Sequence, residues 1–262
     1  MAVTRKTPQQ IAILREAGRL VAQTYEHLAP HVVPGVSTKD LDRLAEEFIR
    51  GHAALPMYKG YGAMTDRRGR IVRPPFPATI CVAINDVICH GIPSPKQILH
   101  DGDIIGIDIG VLYRGWIGDS CRTYAVGHVD DASRKLLDVA QRCLDLGIEQ
   151  ARPGKRLGDI GAAVQHEAEA NGFSSVRELA GHGVGRQLWE EPSVLHFGTP
   201  GTGTEIQPGM VFTIEPMINA GRPEVRTLPD HWTIATADGS RSAQFEHTMA
   251  ITEGGPELLT VP

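Results

Sequence analysis

One helix–turn–helix pattern occurs twice in the sequence, and this repeat limits the possible folds more than any other feature. Each copy has a helical segment, a Pro-Gly pair, four residues, and an Asp with an aliphatic neighbour in the next helical segment. The copies contain Pro34-Gly35 and Pro153-Gly154, which are 119 residues apart. We predict one domain of residues 1–262 with two similar halves, about 8–126 and 131–251, packed about a pseudo-twofold axis. Clefts between such halves are common ligand sites.

Helical segments and strands alternate in each half, which predicts the α+β class. Thr7-Pro8 is typical of an N-cap followed by proline at the first helical position, so residues 1–7 form a short N-terminal segment. This helix should end near Pro30, a second should begin at Ser37 or Thr38, and a third is predicted over 132–150. The predicted strands are 79–84, 103–112, 117–126, 210–214, a segment around 233–236, and 244–251.

Composition and charge narrow the class of protein further. The 262 residues carry 26 Lys+Arg against 31 Asp+Glu, and a net charge of −5 argues against DNA or RNA binding as the main task. No apolar run approaches the roughly 20 residues of a membrane helix, and the N-terminus has no secretory apolar core. The four cysteines form no Cys-x-x-Cys pair, so we expect free thiols in the cytoplasm.

Two carboxylates in apolar segments are the first candidates for a functional site. Asp108 and Asp119 flank Arg114-Gly115, which is a plausible two-residue hairpin turn. An even loop places both side chains on one sheet face, as opposite or diagonal neighbours. Carboxylates so placed repel each other unless one is protonated or a cation lies between them. For this pair alone, helix caps or ion pairs with arginine explain the sequence equally well.

Three further residues favour a metal site. Glu215 and Glu246 each interrupt a predicted strand, and His182 lies between glycines that permit close approach of the backbone to a bound group. A single such histidine would ordinarily be a core residue. Four carboxylates and one imidazole suit two divalent cations, and this oxygen-rich set favours Mn, Fe(II) or Co, with Zn also accepted. Two such ions hold a hydroxide for attack on a carbonyl.

Five stretches around these residues have a distinctive sequence: 85–93 (NDVICHGIP), 107–109 with 118–119, 181–186 (GHGVGR), 212–217 (FTIEPM) and 242–248 (SAQFEHT). Together they resemble the type I methionine aminopeptidases, and the likeness runs from about residue 8 to residue 260. It implies the pita-bread fold, with two pseudo-symmetric helix–strand halves around a central antiparallel sheet and a dinuclear metal cleft. It also implies removal of the initiator methionine from nascent proteins whose second residue is small.

The resemblance implies a role for each of the five candidate ligands. Asp108 would bind one metal ion, and Asp119 and Glu246 would bridge both. His182 and Glu215 would bind the second ion, and Glu215 would also accept a proton from the attacking water.

Other implied roles concern the substrate and a monovalent ion. His90 would hydrogen-bond the substrate or the departing amide, although the residues alone favour a loop histidine that caps the Gly-Ile-Pro turn. Backbone carbonyls would bind Na or K, and they match Asn85, Val87 and Ser242. The walls of a methionine pocket match Tyr58, Tyr61 or Phe76, Leu188 and Trp232, for which ordinary core packing is the alternative.

The sequence departs from the family in two places. Trp189 stands where these enzymes usually have a histidine that contacts the substrate carbonyl, and indole offers one N–H donor and no acceptor. An insertion of about fifteen residues, 62–76, carries four arginines between Arg67 and Arg73 and adjoins the expected pocket. We expect an exposed loop there, or else a contact to RNA or another acidic partner.

The expected partners are nascent polypeptide N-termini and, transiently, the ribosome, with a monomeric enzyme and no membrane partner. Two other functions remain open from the sequence. An aminopeptidase P or prolidase shares the ligand set but usually has an extra N-terminal domain and different histidine motifs. A weakly active pita-bread binding protein is the other alternative, and Trp189 is the residue that favours it.

Overall fold

The computed structural model describes residues 3–262. Within that range the helices start where the sequence predicts. The side chains of Thr7 and Gln10 accept hydrogen bonds from each other's backbone N–H groups and form a capping box. The Ser37 side chain caps the second helix. The α-helices are α1 (Pro8–Leu28), α2 (Thr38–Gly51), α3 (Asp131–Gln150) and α4 (Leu157–Ala170), with a 3-10 turn at Ala29–His31.

The strands pair in antiparallel fashion throughout the described region. Those of the first half are β1 (Leu55–Pro56), β2 (Met64–Thr65), β3 (Ile71–Arg73), β4 (Ile80–Ile84), β5 (Val87–Cys89), β6 (Ile104–Tyr113) and β7 (Trp116–Ala125). Those of the second half are β8 (Ser174–Ser175), β9 (Gly181–Gly183), β10 (Glu190–Val194), β11 (Val211–Ile214), β12 (Met217–Asn219), β13 (Val225–Thr227), β14 (Ile234–Thr236), β15 (Ser242–Gln244), β16 (His247–Thr252) and β17 (Gly255–Leu258).

Two sheets form the centre of the molecule, so the predicted antiparallel α+β architecture is confirmed. In the first half β6 pairs with β1, β4 and β7, and α1 and α2 pack on this sheet. The second half has the order β10-β9-β11-β16-β17, with α3 and α4 against it. The two sheets meet where β7 lies beside β15 and β16. At this seam Glu246 N donates to the Cys121 carbonyl over 2.8 Å. Thr123 Oγ1 donates to the Gln244 carbonyl over 2.6 Å at the same seam.

The long β6–β7 hairpin has the predicted geometry. Arg114 and Gly115 have φ values of +50° and +77°, as a type I′ two-residue turn requires. Asp119 lies opposite Gly110, so it is a diagonal neighbour of Asp108 on the same face. The register thus brings the two carboxylates together at the sheet surface.

The two Pro-Gly segments make the same backbone contacts 119 residues apart. Gly35 and Gly154 have φ values of +90° and +85°. Their N–H groups donate to the carbonyls of Leu99 and Ile206, which are themselves 107 residues apart. The next N–H pair repeats the pattern, with Thr38 N bound to Gln97 O and Leu157 N bound to Thr204 O. We propose on this basis that the halves are a structural duplication.

One predicted strand is wrong. Residues 244–251 form two strands, β15 and β16, because they pair with different partners, β12 and β11. The strand that pairs with β16, β11, ends at the same level, because its last residue is Ile214 and Pro216 has no N–H to continue the ladder. Glu215 and Glu246 therefore lie in paired strand breaks rather than inside strands, which corrects the sequence interpretation of both.

The insertion forms a separate hairpin, β2–β3, which pairs with no other strand within residues 3–262. All four cysteines are free and buried. In the described range, no helix has both the length and the apolar content needed to cross a bilayer.

Candidate active site

A cleft of about 540 Å³ opens where the two halves meet, and residues of both halves line it. The first half contributes Asp108 and Asp119 from the β6–β7 hairpin. The second half contributes Glu215 and Glu246 from the two strand breaks. Neither of these two glutamates lies within a strand, and both line the cleft with the first pair. Side chains predicted from separate motifs thus line one cavity.

The carboxylates of the first half share one neighbour. The Tyr58 hydroxyl contacts Oδ1 of Asp108 and Oδ1 of Asp119. Tyr58 follows β1 and is buried against the hairpin, where its ring fills the space above Gly110. A Cβ at position 110 would lie 2.7 Å from the Tyr58 ring, so glycine is needed for this close approach.

Glu215 has a larger set of polar neighbours. Thr213 Oγ1 donates to its Oε1 over 2.7 Å, and Gln244 Nε2 donates to its Oε2 over 3.3 Å. Its backbone N–H donates to Nε2 of His196 over 3.0 Å. Both carboxylate oxygens and the peptide group are thereby fixed. Glu246 differs, because its Oε1 is buried with no hydrogen-bond partner among residues 3–262.

His182 lies between carboxylates of both halves. Its Nε2 is 3.7 Å from Oδ2 of Asp119 and 3.6 Å from Oε1 of Glu215. Its Nδ1 lies 3.1 Å from the Gly183 carbonyl, and a proton there leaves the Nε2 lone pair facing the cleft. His182 N also donates to Thr213 Oγ1 over 2.9 Å, which joins the histidine to the Glu215 network.

The electrostatics of the cluster favour a bound cation. Burial raises the pKa of Asp108, Asp119, Glu215 and Glu246, and repulsion by neighbouring carboxylates raises the pKa of Asp108, Glu215 and Glu246 further. Asp108, Asp119 and Glu246 each offer an oxygen, and these oxygens lie within 4.8 Å of one another. Buried like charges and an orphaned carboxylate oxygen are what a divalent cation would neutralise. The donor set therefore fits divalent metal.

His90 lines the same cleft at the end of β5. Burial first, and the charge of Arg73 second, lower its pKa to about 4, so the ring is neutral at physiological pH. The three positions matched to a monovalent ion, Asn85, Val87 and Ser242, already take part in backbone pairing. Ser242 N donates to the Asn85 carbonyl over 2.8 Å, and Val87 pairs with Ala235.

The residues matched to the pocket walls pack as one buried cluster beside the carboxylates. Tyr58, Phe76, Leu188 and Trp232 belong to it, together with Cys81, Ile117 and Val184. Between the two aromatic alternatives, Phe76 is buried in the wall, whereas Tyr61 is 38% exposed. Trp189 lines the cleft and is 45% exposed. Trp189 is therefore a residue of the rim.

Sequence reasoning missed three residues of this site. His196 is fully buried, and burial lowers its pKa to about 3, so it acts as a neutral acceptor behind Glu215. Gln244 reaches Glu215 only because β15 breaks away from β16. Arg73 of the insertion enters the lining of the cleft. His196 lies in a segment without a recognisable motif, so the sequence carried no signal for it. Gln244 lies in the segment 242–248, and Arg73 in the insertion expected beside the pocket, but neither had been assigned a role in the site.

Buried carboxylates and an imidazole, gathered between two pseudo-symmetric antiparallel halves, define a metal-dependent hydrolase of the pita-bread fold. Comparison with known proteins agrees, because the profile of metallopeptidase family M24 matches residues 12–253. The chain belongs to this family and, within it, to the methionine aminopeptidases.

The similarity to methionine aminopeptidases extends over nearly the full length of both partners. Methionine aminopeptidase 1 of Bacillus subtilis is 48% identical over 255 residues, which cover 97% of this chain and 98% of that protein. The crystal structure of the Rickettsia prowazekii enzyme superposes with a TM-score of 0.92 at 42% identity, over 99% of this chain and 100% of that one. The Thermotoga maritima enzyme gives 0.93 at 37% identity, with full coverage of both chains.

Prolidases share the fold only. The prolidase of Pyrococcus furiosus is 21% identical with a TM-score of 0.72, and the alignment covers 98% of this chain but 65% of that one. The aminopeptidase P or prolidase alternative is therefore not favoured.

Proposed function

We propose that this chain is a metal-dependent aminopeptidase that removes the initiator methionine from nascent proteins with a small second residue. The proposal places this activity in the cytoplasm. The observation that carries it is the meeting of four carboxylates and His182 in one cleft beside a buried apolar cluster. Such a cluster suits an unbranched apolar side chain, and metal held by the carboxylates would bind the free α-amine next to it.

Divalent metal would be held by five side chains. Asp108 would bind one ion, Asp119 and Glu246 would bridge two, and the remaining pair would bind the second. That pair is His182 and Glu215. When bound, the ions polarise the scissile carbonyl and make water a nucleophile near neutral pH. We extend the proposal to Mn, Fe(II), Co or Zn in these positions, and to Na or K on the carbonyls of Asn85, Val87 and Ser242.

Glu215 is the proposed proton acceptor for the attacking water. Thr213 and Gln244 each donate to one of its oxygens, so the carboxylate stays oriented while it takes up the proton. His196 accepts from the Glu215 backbone and stays neutral, so it adds no competing charge. His90, also neutral, would hydrogen-bond the substrate amide.

The apolar cluster beside the carboxylates is the proposed methionine subsite. Its walls are Tyr58, Leu188, Trp232 and Phe76, which offer a buried apolar surface to a thioether chain. Trp189 at the rim would contact the substrate carbonyl with its indole N–H, in place of the usual histidine.

The test is an assay of the metal-free protein on Met-Gly-Met-Met and Pro-Gly-Gly-Gly peptides, with Mn, Fe(II), Co or Zn added in turn. Release of methionine alone, dependent on metal, supports the proposal. The matched variant is Trp189→His, which should raise the rate or leave it unchanged. Absence of turnover with every metal, together with recovery in Trp189→His, would instead indicate a binding protein or an unusual substrate.

The ribosome is the proposed transient partner, and the β2–β3 hairpin is its candidate contact. Arg67 and Arg68 are exposed at its tip, whereas Arg70 pairs with Asp66 over 2.7 Å. Replacement of Arg67 and Arg68 by glutamate should weaken co-sedimentation with ribosomes. Unchanged co-sedimentation would remove this part of the proposal.

A further inference from the structure

The β2–β3 hairpin is peripheral to the core, yet its base lies in the active-site cleft. Most of its side chains are exposed, and Ile71 and Val72 are 66% and 47% accessible. At the base, Arg73 Nε donates to the Gly62 carbonyl over 2.9 Å, which ties the two ends of the hairpin together. The ends are therefore fixed relative to each other, whatever the tip does.

Three groups at this base contact one side chain, Trp232. The indole N–H donates to the Pro74 carbonyl over 2.9 Å. The Arg73 guanidinium lies over the indole face, with its Cζ 4.3 Å from the ring centroid. A Cβ built on Gly62 would lie 2.5 Å from the indole Cη2, so the backbone there abuts the ring edge. The insertion thus holds the indole by its N–H, its face and its edge.

Trp232 also borders the space where chemistry is expected. It is 7% exposed and lines the cleft. Its ring centroid is 5.3 Å from that of Phe76 and 6.5 Å from that of His90, both in edge-to-face orientation. The indole therefore connects the base of the hairpin to the pocket, whose lining Arg73 and Phe76 of the same segment also join. Any freedom in its orientation would change the width of the pocket.

We propose that the hairpin 62–76 is a specificity element that fixes Trp232 through Gly62, Arg73 and Pro74. This rests on the proposed function, because it assigns the space beside Trp232 to the first residue of the substrate. Arg73 is a positioning residue: it acts on the substrate through the indole. A fixed indole defines a pocket for the unbranched methionine side chain and disfavours branched leucine.

The experiment compares kcat and KM for Met-Ala-Ser and Leu-Ala-Ser peptides in the metal-loaded full-length protein. Arg73→Ala should raise KM for the methionine peptide and lower the Met:Leu ratio of kcat/KM about tenfold, with kcat for methionine nearly unchanged. Arg73→Lys keeps a cation over the ring and should recover much of the ratio. Arg68→Ala, at the tip of the same hairpin, is the matched control and should behave like wild type.

Gly62→Ala provides a second variant that reaches the indole from its edge. It should shift the Met:Leu ratio in the same direction as Arg73→Ala. An active wild type whose ratio is the same in Arg73→Ala and Arg68→Ala would overturn this inference alone. A wild type that releases no methionine with any metal would overturn the proposed function and, with it, the assignment of the pocket.

Discussion

The two halves of the molecule use the same backbone plan but surround their carboxylates differently. In the first, Gly102 N donates to Val126 O over 2.9 Å as β6 begins. In the second, Gly209 N donates to Ile251 O over 2.8 Å as β11 begins. Each turn leads, six residues later, to Asp108 or to Glu215. The scaffold that delivers a carboxylate to the cleft is thus common to both.

The surroundings of these two equivalent carboxylates differ. Asp108 lies within a ten-residue strand, and its carboxylate contacts the hydroxyl group of Tyr58. Glu215 lies in a strand break, where Thr213, Gln244 and His196 hold it. The comparison suggests a division of roles, in which both halves hold metal and the second half also provides proton transfer. The predictions that follow test this division, beginning with the largest expected effect.

Neutral isosteres of the equivalent carboxylates should have unequal consequences. Glu215→Gln removes the proposed proton acceptor, and we expect kcat to fall about 10³-fold even with excess metal. Asp108→Asn should act mainly through weaker metal binding, so excess metal should restore much of its activity. Activity over a Mn²⁺ titration, with bound metal counted by atomic emission, separates the two cases. Full recovery of Glu215→Gln by metal would contradict the division of roles.

The second half should carry a pH dependence of stability through His196. Its pKa is lowered to about 3 by burial, so the neutral ring stabilises the fold fully above the unfolded value of roughly 6.5 and less as pH falls towards 3. Because this histidine takes up a proton in the unfolded state and stays neutral in the folded one, the free energy of unfolding should fall by about 2 kcal/mol between pH 7.5 and pH 5. Urea unfolding of the metal-free protein should show a flatter dependence in His196→Gln, whose amide oxygen accepts without titrating.

The matched control for that measurement is His31→Gln, an exposed histidine of the first half. It should leave the wild-type pH dependence intact. Equal slopes for wild type and His196→Gln would show that the buried ring does not contribute.

Removal of one hydroxyl from each half should destabilise the metal-free protein by about 1–2 kcal/mol, because each contacts a buried carboxyl group. We expect Thr213→Val to cost more than Tyr58→Phe. Loss of the Thr213 hydroxyl leaves the His182 backbone N–H unpaired as well as one oxygen of Glu215. The two oxygens that Tyr58 contacts both belong to carboxyl groups, which can share a proton in the metal-free protein. Thermal unfolding of both variants measures the difference. A neutral Thr213→Val would indicate that the Glu215 network adds nothing to stability.

The smallest expected loss of stability should be equal in the two halves. Gly35→Ala and Gly154→Ala place a side chain at φ near +90°, with open space around each Cβ, and each should cost about 1 kcal/mol of backbone strain. The costs should add in the double variant, because the sites share no partner. Gly51→Ala, at the end of α2 and also in open space but without a positive φ, is the control and should be neutral or slightly stabilising. Unequal costs would argue against equivalent turns.

Much of this architecture was predictable because it depends on local patterns. Thr7-Pro8 and Ser37 mark helix starts, and Arg114-Gly115 is a turn that its own dihedral preferences define. The even loop also placed Asp108 and Asp119 on one sheet face, and the register of the folded hairpin made them diagonal neighbours. These features need only the chemistry of neighbouring residues.

The parts that were missed depend on distant pairing. The break at Glu246 arises because β15 and β16 pair with different strands, and no residue close to it in sequence indicates the break. His196 and Arg73 reach the site through contacts made by strands and loops far apart in sequence. The insertion was visible as extra length, but its contact with Trp232, more than 150 residues away, required the folded chain.

The cleft between the halves also has a consequence for folding kinetics. Asp108 and Glu215 are 107 residues apart, and contacts of such long range are costly to form early. Mutual repulsion of the buried carboxylates further opposes closure before a cation arrives. Ligands of the native state slow unfolding when their site is absent from the folding transition state. Metal should therefore lengthen the lifetime of the folded chain while its folding rate stays the same.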